Sequence, residues 1–213
     1  MFVKLCGLQT LEDATAAIEA EASAIGFILA ESKRQVTPEL VGSIRDNLVN
    51  PPTIVGVTVN RTAAELNQLF EDARLDMVQL SGNEPIEILD ELEMPVIKAL
   101  RFPEGTDFNT ATSEVDAWLN HRHAPELVMI DGHKAGAYGG TGVKADWRLL
   151  QEISVRYPIV LAGGLEPENV AEAIRQVNPI GVDTASGTET DGVKDPAKLK
   201  AFVQNARAAA PEY

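Results

Sequence analysis

The strongest constraint on the fold is a repeated unit, in which a short apolar run is followed by a polar turn and then by a segment with helix-start signals. The apolar runs are rich in Val and Ile and mostly do not alternate with polar residues, which is typical of strands buried on both faces of a parallel sheet. Eight runs are predicted as strands: Phe2–Cys6, Ala24–Leu29, Ile54–Asn60, Met77–Leu80, Val96–Leu100, Leu127–Asp131, Ile159–Ala162 and Gly181–Thr184.

The segments between these runs begin with residues that favour a helix N-terminus. Thr10-x-x-Asp13 and Thr62-x-x-Glu65 match the capping-box pattern. Thr37-Pro38 and Asp195-Pro196 place a capping side chain before a proline, whose fixed φ suits the first helical position. We predict helices at 11–21, 38–48, 63–73, 85–92, 111–120, 146–155, 167–176 and 196–208.

Eight strands alternating with eight helices predict parallel strands joined by right-handed crossovers. The simplest closed result is an α/β fold, a single compact (β/α)8 TIM barrel spanning residues 1–213 as one domain. The competing fold is an open doubly wound sheet. It would carry a glycine-rich nucleotide turn after the first strand, and Gly7-Leu8-Gln9-Thr10 is not such a turn.

Composition argues against several function classes. The net charge is −14, which disfavours binding to nucleic acid and to anionic membrane surfaces. The longest apolar stretch, Ala24–Ala30, is too short to cross a bilayer, and residues 1–6 do not resemble a signal peptide, so we expect a cytoplasmic protein. One cysteine excludes an internal disulfide. His121-x-His123 lies among polar residues, and we predict neither a metal nor a cofactor.

Chemistry in a (β/α)8 barrel takes place at the carboxyl ends of the strands. Cys6 ends the first predicted strand, and Lys4, two residues back, points to the same side, where a cation would favour the thiolate. Asp131 ends an apolar strand, where a desolvated carboxyl group suits general acid catalysis. Taken singly, each has a plainer interpretation, because Cys6 could be a small buried hydrophobe and Asp131 could cap the following loop.

Glycine-bearing turns follow the last two strands. Gly163-Gly164 and Ser186-Gly187 lie where this fold often holds phosphate through backbone N–H groups. The alternative is that these glycines only make tight turns possible. A thiol, a carboxyl group and a phosphate grip on one barrel indicate proton transfer on a small sugar phosphate.

At these residues the chain resembles phosphoribosylanthranilate isomerase of tryptophan biosynthesis. The motifs keep the family's order from about residue 2 to 204 and are specific only together. They are Lys4-Leu5-Cys6-Gly7, Ala24-Ile25-Gly26-Phe27, Val78-Gln79-Leu80, Gly139-Gly140-Thr141-Gly142, Leu161-Ala162-Gly163-Gly164-Leu165, Pro167-Glu168-Asn169-Val170 and Gly192-Val193-Lys194-Asp195-Pro196.

The resemblance implies an Amadori rearrangement of N-(5-phosphoribosyl)anthranilate to the corresponding 1-deoxyribulose 5-phosphate. In it, Asp131 is the general acid and Cys6 the general base, and Arg34 faces the anthranilate carboxylate. It also implies substrate-binding positions at Gln79 and Asp183, and a phosphate grip formed by Gly140, Thr141, Gly142, Gly163, Gly164, Ser186 and Gly187.

Several positions depart from the family pattern. Ser81 stands where the family usually has His, Thr58 where it has an aromatic or apolar residue, and Thr184-Ala185 where it has Val-Ser. Lys33 replaces a frequent Pro, and Gly132-His133 follows Asp131 where Ala or Ser is common. These departures bear on substrate details and rate more than on reaction class.

Two other functions stay open from the residues alone. One is another sugar-phosphate isomerase or epimerase on the same barrel, acting without anthranilate. The other is a non-catalytic barrel that binds a phosphorylated metabolite. In every case we expect a small-molecule partner and a monomer or homodimer.

Overall fold

The computed structural model describes residues 1–103, 105–132 and 147–211. Eight parallel strands close into one barrel in sequence order, with β1 paired to both β2 and β8. The predicted TIM barrel is therefore confirmed, and the open sheet is wrong. The strands are β1 (Phe2–Cys6), β2 (Ala24–Ile28), β3 (Thr53–Thr58), β4 (Met77–Leu80), β5 (Val96–Arg101), β6 (Leu127–Asp131), β7 (Ile159–Ala162) and β8 (Gly181–Thr184).

Seven α-helices lie outside the barrel within the described residues. Both predicted capping boxes are present, since Thr10 accepts from the Asp13 N–H and Thr62 accepts from the Glu65 N–H. Thr37 and Asp195 also cap as predicted. The helices are α1 (Leu11–Glu19), α2 (Pro38–Asn47), α3 (Ala63–Ala73), α4 (Phe108–Leu119), α5 (Trp147–Ser154), α6 (Val170–Val177) and α7 (Pro196–Ala209).

Several predicted boundaries are wrong, and three of them show why. The helix at 85–92 is a 3₁₀ turn over Ile86–Asp90, and Pro85 before it offers no capping side chain. The helix expected from residue 167 begins at Val170, because the Asn169 side chain accepts from the Glu166 N–H and donates to the Gly164 carbonyl. The third strand ends at Thr58 rather than at residue 60.

Side-chain alternation divides the core into two layers. Side chains such as Val55, Met129 and Val160 fill the inside of the barrel. A larger cluster, including Ile25 and Leu161, packs between the strands and the helices. Because Lys4, Cys6 and the other alternate residues of β1 face inward, polar side chains at the carboxyl ends of the strands converge on the barrel mouth.

A small hairpin follows the last barrel strand. After a 3₁₀ turn at Ser186–Thr188, β9 (Glu189–Thr190) pairs with β10 (Val193–Lys194) in antiparallel fashion. Asp191 and Gly192 between them have φ of 52° and 82°. Positive φ at both central residues is the conformation that a tight two-residue hairpin requires. The hairpin brings Glu189 and Lys194 back towards the barrel mouth.

None of the helices in the described ranges combines the length and the apolar character that a membrane crossing needs.

Candidate active site

A buried ion pair lies directly beside Cys6. Lys4 is fully buried, and its Nζ donates to Asp183 Oδ1 over 2.8 Å, joining β1 to β8 inside the barrel. Gly26 on β2 leaves space for this arrangement, because a Cβ there would lie 2.7 Å from Cys6 Sγ and 3.1 Å from Lys4 Nζ. The structure thus brings the thiol and the ammonium group together beside one glycine, and the Asp183 carboxylate binds the ammonium group from β8.

Burial and charge act on these groups in opposite directions. Burial raises the pKa of the Cys6 thiol and outweighs the charge of Lys4, which lowers it, while Asp183 raises it further. Burial alone would lower the pKa of Lys4, but the charges and hydrogen bonds of Asp183 and Cys6 raise it above its ordinary value. Lys4 therefore stays charged. The expectation that Lys4 makes Cys6 a thiolate is wrong for the net pKa of Cys6, because desolvation of the sulfur contributes more than the charge of Lys4.

Arg34 lies across the end of β1 and is held by Glu189. The guanidinium donates from Nε to Glu189 Oε1 over 2.5 Å and from Nη2 to Glu189 Oε2 over 2.8 Å. Gly7, with φ of 75°, makes room for this crossing, since a Cβ there would lie 2.7 Å from Arg34 Cδ. Arg34 is only 9% exposed and sits next to the strand end that carries Cys6.

Lys194 on the hairpin adds a second cation to this cluster. Its Nζ donates to Glu189 Oε1 over 3.2 Å and to the Ala185 carbonyl over 2.6 Å, with the side chain nearly buried. Burial lowers the pKa of Lys194, and the carboxylate of Glu189 opposes that change. The charge of Lys194 also reaches Cys6 and lowers the pKa of its thiol.

Gln79 and Ser81 form a polar pair on β4 and its following turn. Gln79 Nε2 donates to Ser81 Oγ over 3.0 Å, and both residues are buried. Gln79 Oε1 is buried and has no hydrogen-bond partner within the described part of the chain. Because Ser81 Oγ accepts this bond, its own hydroxyl hydrogen can be donated elsewhere.

Asp131 ends β6, three strands around the barrel from β1. Its side chain is 24% exposed, and its Oδ2 lies 3.3 Å from Arg101 Nε. It is on the inward-facing row of β6, two residues after Met129. The sequence predicts a desolvated carboxyl group here, but the structure leaves this carboxyl group partly exposed to solvent.

Lys98, the other basic residue on β5, lies outside the barrel. Its Nζ donates to Glu84 Oε2 over 2.7 Å and to the Gly82 carbonyl over 2.8 Å, and it lies 4.9 Å from the Trp118 ring centre. Glu84 Oε1 in turn accepts from the N–H groups of Asn60 and Gly82, each at 2.9 Å. This buried pair ties the turns after β3 and β4 together.

The two glycine turns predicted to hold phosphate lie side by side. Gly163 and Gly164 have φ of 94° and 64°, which only glycine adopts readily. A Cβ on Gly187 would collide with the Leu165 carbonyl, so the turns after β7 and β8 approach closely. Ser186 begins the 3₁₀ turn after β8. Gly140, Thr141 and Gly142, also predicted to bind phosphate, lie outside the described residues.

Sequence reasoning missed the roles of Glu189, Glu84 and Gly26. Glu189 follows the last strand closely, and a carboxylate at a strand end is a signal that could have been followed. Its partner Arg34 is 155 residues away, and no local pattern reports such a pairing. Among the residues that the structure describes, no three His, Cys, Asp or Glu side chains form a group that could hold a metal ion.

Sequence comparison gives one family. The sequence model of N-(5'-phosphoribosyl)anthranilate (PRA) isomerase matches residues 3–205. An N-(5'-phosphoribosyl)anthranilate isomerase of Roseiflexus castenholzii is 41% identical over 218 residues, covering 99% of this chain and all of that protein. Another, of Dehalococcoides mccartyi, is 40% identical over 207 residues, covering 96% of this chain and 94% of that protein.

Solved structures agree with this assignment. Phosphoribosyl anthranilate isomerase of Thermotoga maritima superposes with a TM-score of 0.84 at 36% identity, covering 98% of this chain and 99% of that chain. A phosphoribosyl anthranilate isomerase in complex with reduced 1-(o-carboxyphenylamino)-1-deoxyribulose 5-phosphate superposes with a TM-score of 0.81 at 33% identity and the same coverage. Its sequence, its closed barrel and these relatives together show that the chain belongs to the N-(5'-phosphoribosyl)anthranilate isomerase family.

Proposed function

We propose that this protein converts N-(5'-phosphoribosyl)anthranilate to 1-(2-carboxyphenylamino)-1-deoxyribulose 5-phosphate in tryptophan biosynthesis, with Asp131 as general acid and Cys6 as general base. Family membership supports the reaction. The observation that carries the residue assignment is the position of Cys6 Sγ at the barrel mouth, within the cluster of Lys4, Asp183 and Gly26.

The reaction needs two proton transfers at different atoms of the sugar. Asp131 gives a proton to the furanose ring oxygen, the bond from C1 to that oxygen breaks, and the nitrogen lone pair forms a C1=N bond. The thiolate of Cys6 then takes the C2 proton, and the released electrons form a C1=C2 bond and neutralise the nitrogen. In the tautomerisation of this enolamine, C1 gains a proton and the C2 hydroxyl group loses one, which gives the ketone.

The environment of Cys6 suits a base that is used briefly. At neutral pH the raised pKa keeps most of Cys6 as thiol in the free protein. Lys4 lies close to Sγ and stays charged, so it stabilises the thiolate that removes the C2 proton. Asp183 fixes the position of the ammonium group through their 2.8 Å hydrogen bond.

Anionic groups of the substrate have matching positions around the mouth. Glu189 occupies one edge of the Arg34 guanidinium, and the other edge can bind the anthranilate carboxylate. Gly163, Gly164 and Gly187 offer backbone N–H groups to the phosphate. Gln79 and Ser81 supply an acceptor and a donor for sugar hydroxyl groups.

A turnover assay tests the assignment. The substrate is generated in place, and the loss of its anthranilate-type fluorescence is followed for the wild type, Cys6→Ser and Asp131→Asn. We expect both variants to lose about 10²-fold or more in kcat, while still binding reduced 1-(o-carboxyphenylamino)-1-deoxyribulose 5-phosphate. Glu126→Gln is the matched control, because this exposed carboxylate precedes the same strand at its amino end.

The alternatives give different results. A wild type that binds the reduced product analogue but does not turn over substrate would be a binding protein. A barrel that isomerises another sugar phosphate would not distinguish ligands with and without the ortho-carboxylate. Full activity in Cys6→Ser would remove the thiol from the mechanism.

The proposed partner is a small sugar-phosphate molecule, with a monomer or a homodimer as the assembly. One solved relative is described as monomers generated from dimeric phosphoribosylanthranilate isomerase of Thermotoga maritima. Mass measurement in solution distinguishes the two states for this chain.

A further inference from the structure

The Arg34 side chain is fixed by a carboxylate that the reaction itself does not require. Glu189 holds the side-on edge of the guanidinium through Nε and Nη2. Within the described residues, the end-on edge formed by Nη1 and Nη2 carries no further hydrogen bond. An arginine held in this way can bind a second carboxylate through its remaining fork.

Charge balance favours an incoming anion at this place. Lys194 shares Glu189 Oε1 with Arg34, so one carboxylate serves two cations. Together with Lys4 and Asp183, these groups comprise three cations and two carboxylates, a net charge of +1. A substrate carboxylate on Arg34 would make this cluster neutral.

The hairpin makes the position of Glu189 rigid. Its backbone pairs with Lys194 across the β9–β10 ladder, and its carbonyl accepts from Lys198 Nζ over 2.7 Å. Lys194 is further held by the Ala185 carbonyl. The carboxylate therefore approaches Arg34 from a fixed backbone rather than from a loose side chain, which is what a precise site requires.

We infer that Glu189 is a positioning residue for substrate binding, which orients Arg34 so that its end-on edge faces the anthranilate carboxylate, with Lys194 balancing the charge. This inference rests on the proposed role of Arg34. Glu189 acts through Arg34, so it determines specificity for the ortho-carboxylate and takes no part in proton transfer.

The experiment compares two ligands on the intact protein. One is reduced 1-(o-carboxyphenylamino)-1-deoxyribulose 5-phosphate, and the other is the same compound without the carboxylate. In Glu189→Gln we expect the affinity for the first to fall about tenfold or more, while the affinity for the second stays unchanged. Retained binding of the second ligand also shows that the barrel is folded. Asp191→Asn, an exposed change in the same hairpin, is the control and keeps both affinities.

Two further variants separate the possible failures. Glu189→Asp keeps the negative charge, but the side chain is one methylene shorter and cannot reach both Nε and Nη2 of Arg34. The same selective loss of affinity is therefore expected. Arg34→Met tests the proposed function, since it must show the selective loss if Arg34 binds the carboxylate.

The outcomes are distinguishable. If Arg34→Met is selective and Glu189→Gln weakens both ligands equally, weakens neither or tightens the first, Glu189 does not position Arg34 and the inference is overturned alone. If Arg34→Met is not selective, the assigned role of Arg34 fails and the inference falls with it.

Discussion

Cys6 lies among charged groups whose effects on its proton oppose one another. Burial and Asp183 raise the pKa of the thiol, while Lys4 and Lys194 lower it, and the net result is a raised value. The thiolate fraction therefore increases as the pH rises from neutral into the alkaline range. Because only the thiolate accepts a proton, the step in which Cys6 removes the C2 proton is predicted to become faster over the same range.

Lys4→Met tests the cation beside the sulfur. Without Lys4 the pKa of Cys6 rises further, and Asp183 loses its partner. We expect kcat at neutral pH to fall by about 10²-fold and its rise to move to higher pH. The pH profile of kcat and the ultraviolet absorbance of the thiolate measure this, with Cys6→Ser titrated in parallel to subtract the tyrosines, because the chain has one cysteine and three tyrosines. Lys200→Met, an exposed change on α7, is the control.

A pH profile of Lys4→Met that overlays the wild type would show that Lys4 does not act on the sulfur.

Gly26→Ala tests the close packing around the sulfur. The new Cβ would lie 2.7 Å from Cys6 Sγ, so the sulfur or its neighbour Lys4 must move. Such overpacking costs about 1–3 kcal/mol of stability. We expect kcat to fall by more than the decrease in the folded fraction of the protein accounts for. Urea unfolding and turnover measure the two effects. Gly42→Ala in α2 is the control, because its Cβ would crowd only the flexible end of Arg74, at 3.2 Å from Nη2, and alanine favours the helix.

Unchanged turnover in Gly26→Ala would mean that the sulfur tolerates displacement, which contradicts a precisely placed base.

At the scale of secondary structure, the turns after β3 and β4 depend on a buried ion pair. The side chains of Lys98 and Glu84 are 3% and 1% exposed, and together they hold backbone groups of Asn60 and Gly82. Burial raises the pKa of Glu84, but hydrogen bonds from Lys98 and the backbone lower it below its ordinary value. These turns precede and follow Ser81, so the pair supports one wall of the candidate site.

Lys98→Met leaves the Glu84 carboxylate buried without its cation. We expect the free energy of unfolding to fall by about 3 kcal/mol, and the double variant Lys98→Met/Glu84→Gln to recover part of that loss. Urea unfolding at neutral pH measures both. Arg61→Met is the control, since Arg61 and Glu65 form an exposed pair and its removal should leave the free energy of unfolding nearly unchanged. Equal losses in Lys98→Met and Arg61→Met would contradict a special role for the buried pair.

The strands were predictable because the apolar runs are buried on both faces, and five runs have the predicted extent, those beginning at Phe2, Met77, Leu127, Ile159 and Gly181. The 3₁₀ turn at Ile86–Asp90 was not predictable, because the segment before it is fixed by the contact of Glu84 with Asn60 in the turn after another strand. The start of α4 at Phe108 was also missed, although Asp107 caps it by accepting from the Thr110 N–H.

The candidate site was predictable where its residues end strands, as Cys6 and Asp131 do. Pairings across the chain were not, because the partner of Arg34 becomes visible only after the barrel has closed. The net effect of burial on Cys6 was likewise hidden, since sequence shows a neighbouring charge but not the loss of water.

At the scale of the whole molecule, charge is unevenly distributed. The chain carries a net charge of −14, while the paired groups Lys4, Asp183, Arg34, Glu189 and Lys194 together have a net charge of +1. The excess acidic charge therefore lies elsewhere, and its self-repulsion opposes the compact state.

Salt should consequently stabilise the fold. We expect the Tm to rise between about 0.01 M and about 0.15 M potassium chloride, where the screening length shortens from about 30 Å to about 8 Å. Glu31→Gln/Glu93→Gln removes two exposed carboxylates, and its Tm should depend less on salt. Calorimetry measures both proteins, and a Tm that falls with salt would contradict net repulsion.

The ion pair of Lys4 with Asp183 joins residues 179 positions apart, on the first and last strands of the barrel. During translation, Lys4 and Cys6 leave the ribosome early, and Asp183 leaves it near the end. Until the final strand docks, Lys4 lacks the carboxylate that pairs with it in the folded barrel. Assembly of the catalytic centre and closure of the barrel are thus one event, so prematurely terminated chains that lack β8 carry every earlier site residue and no working base.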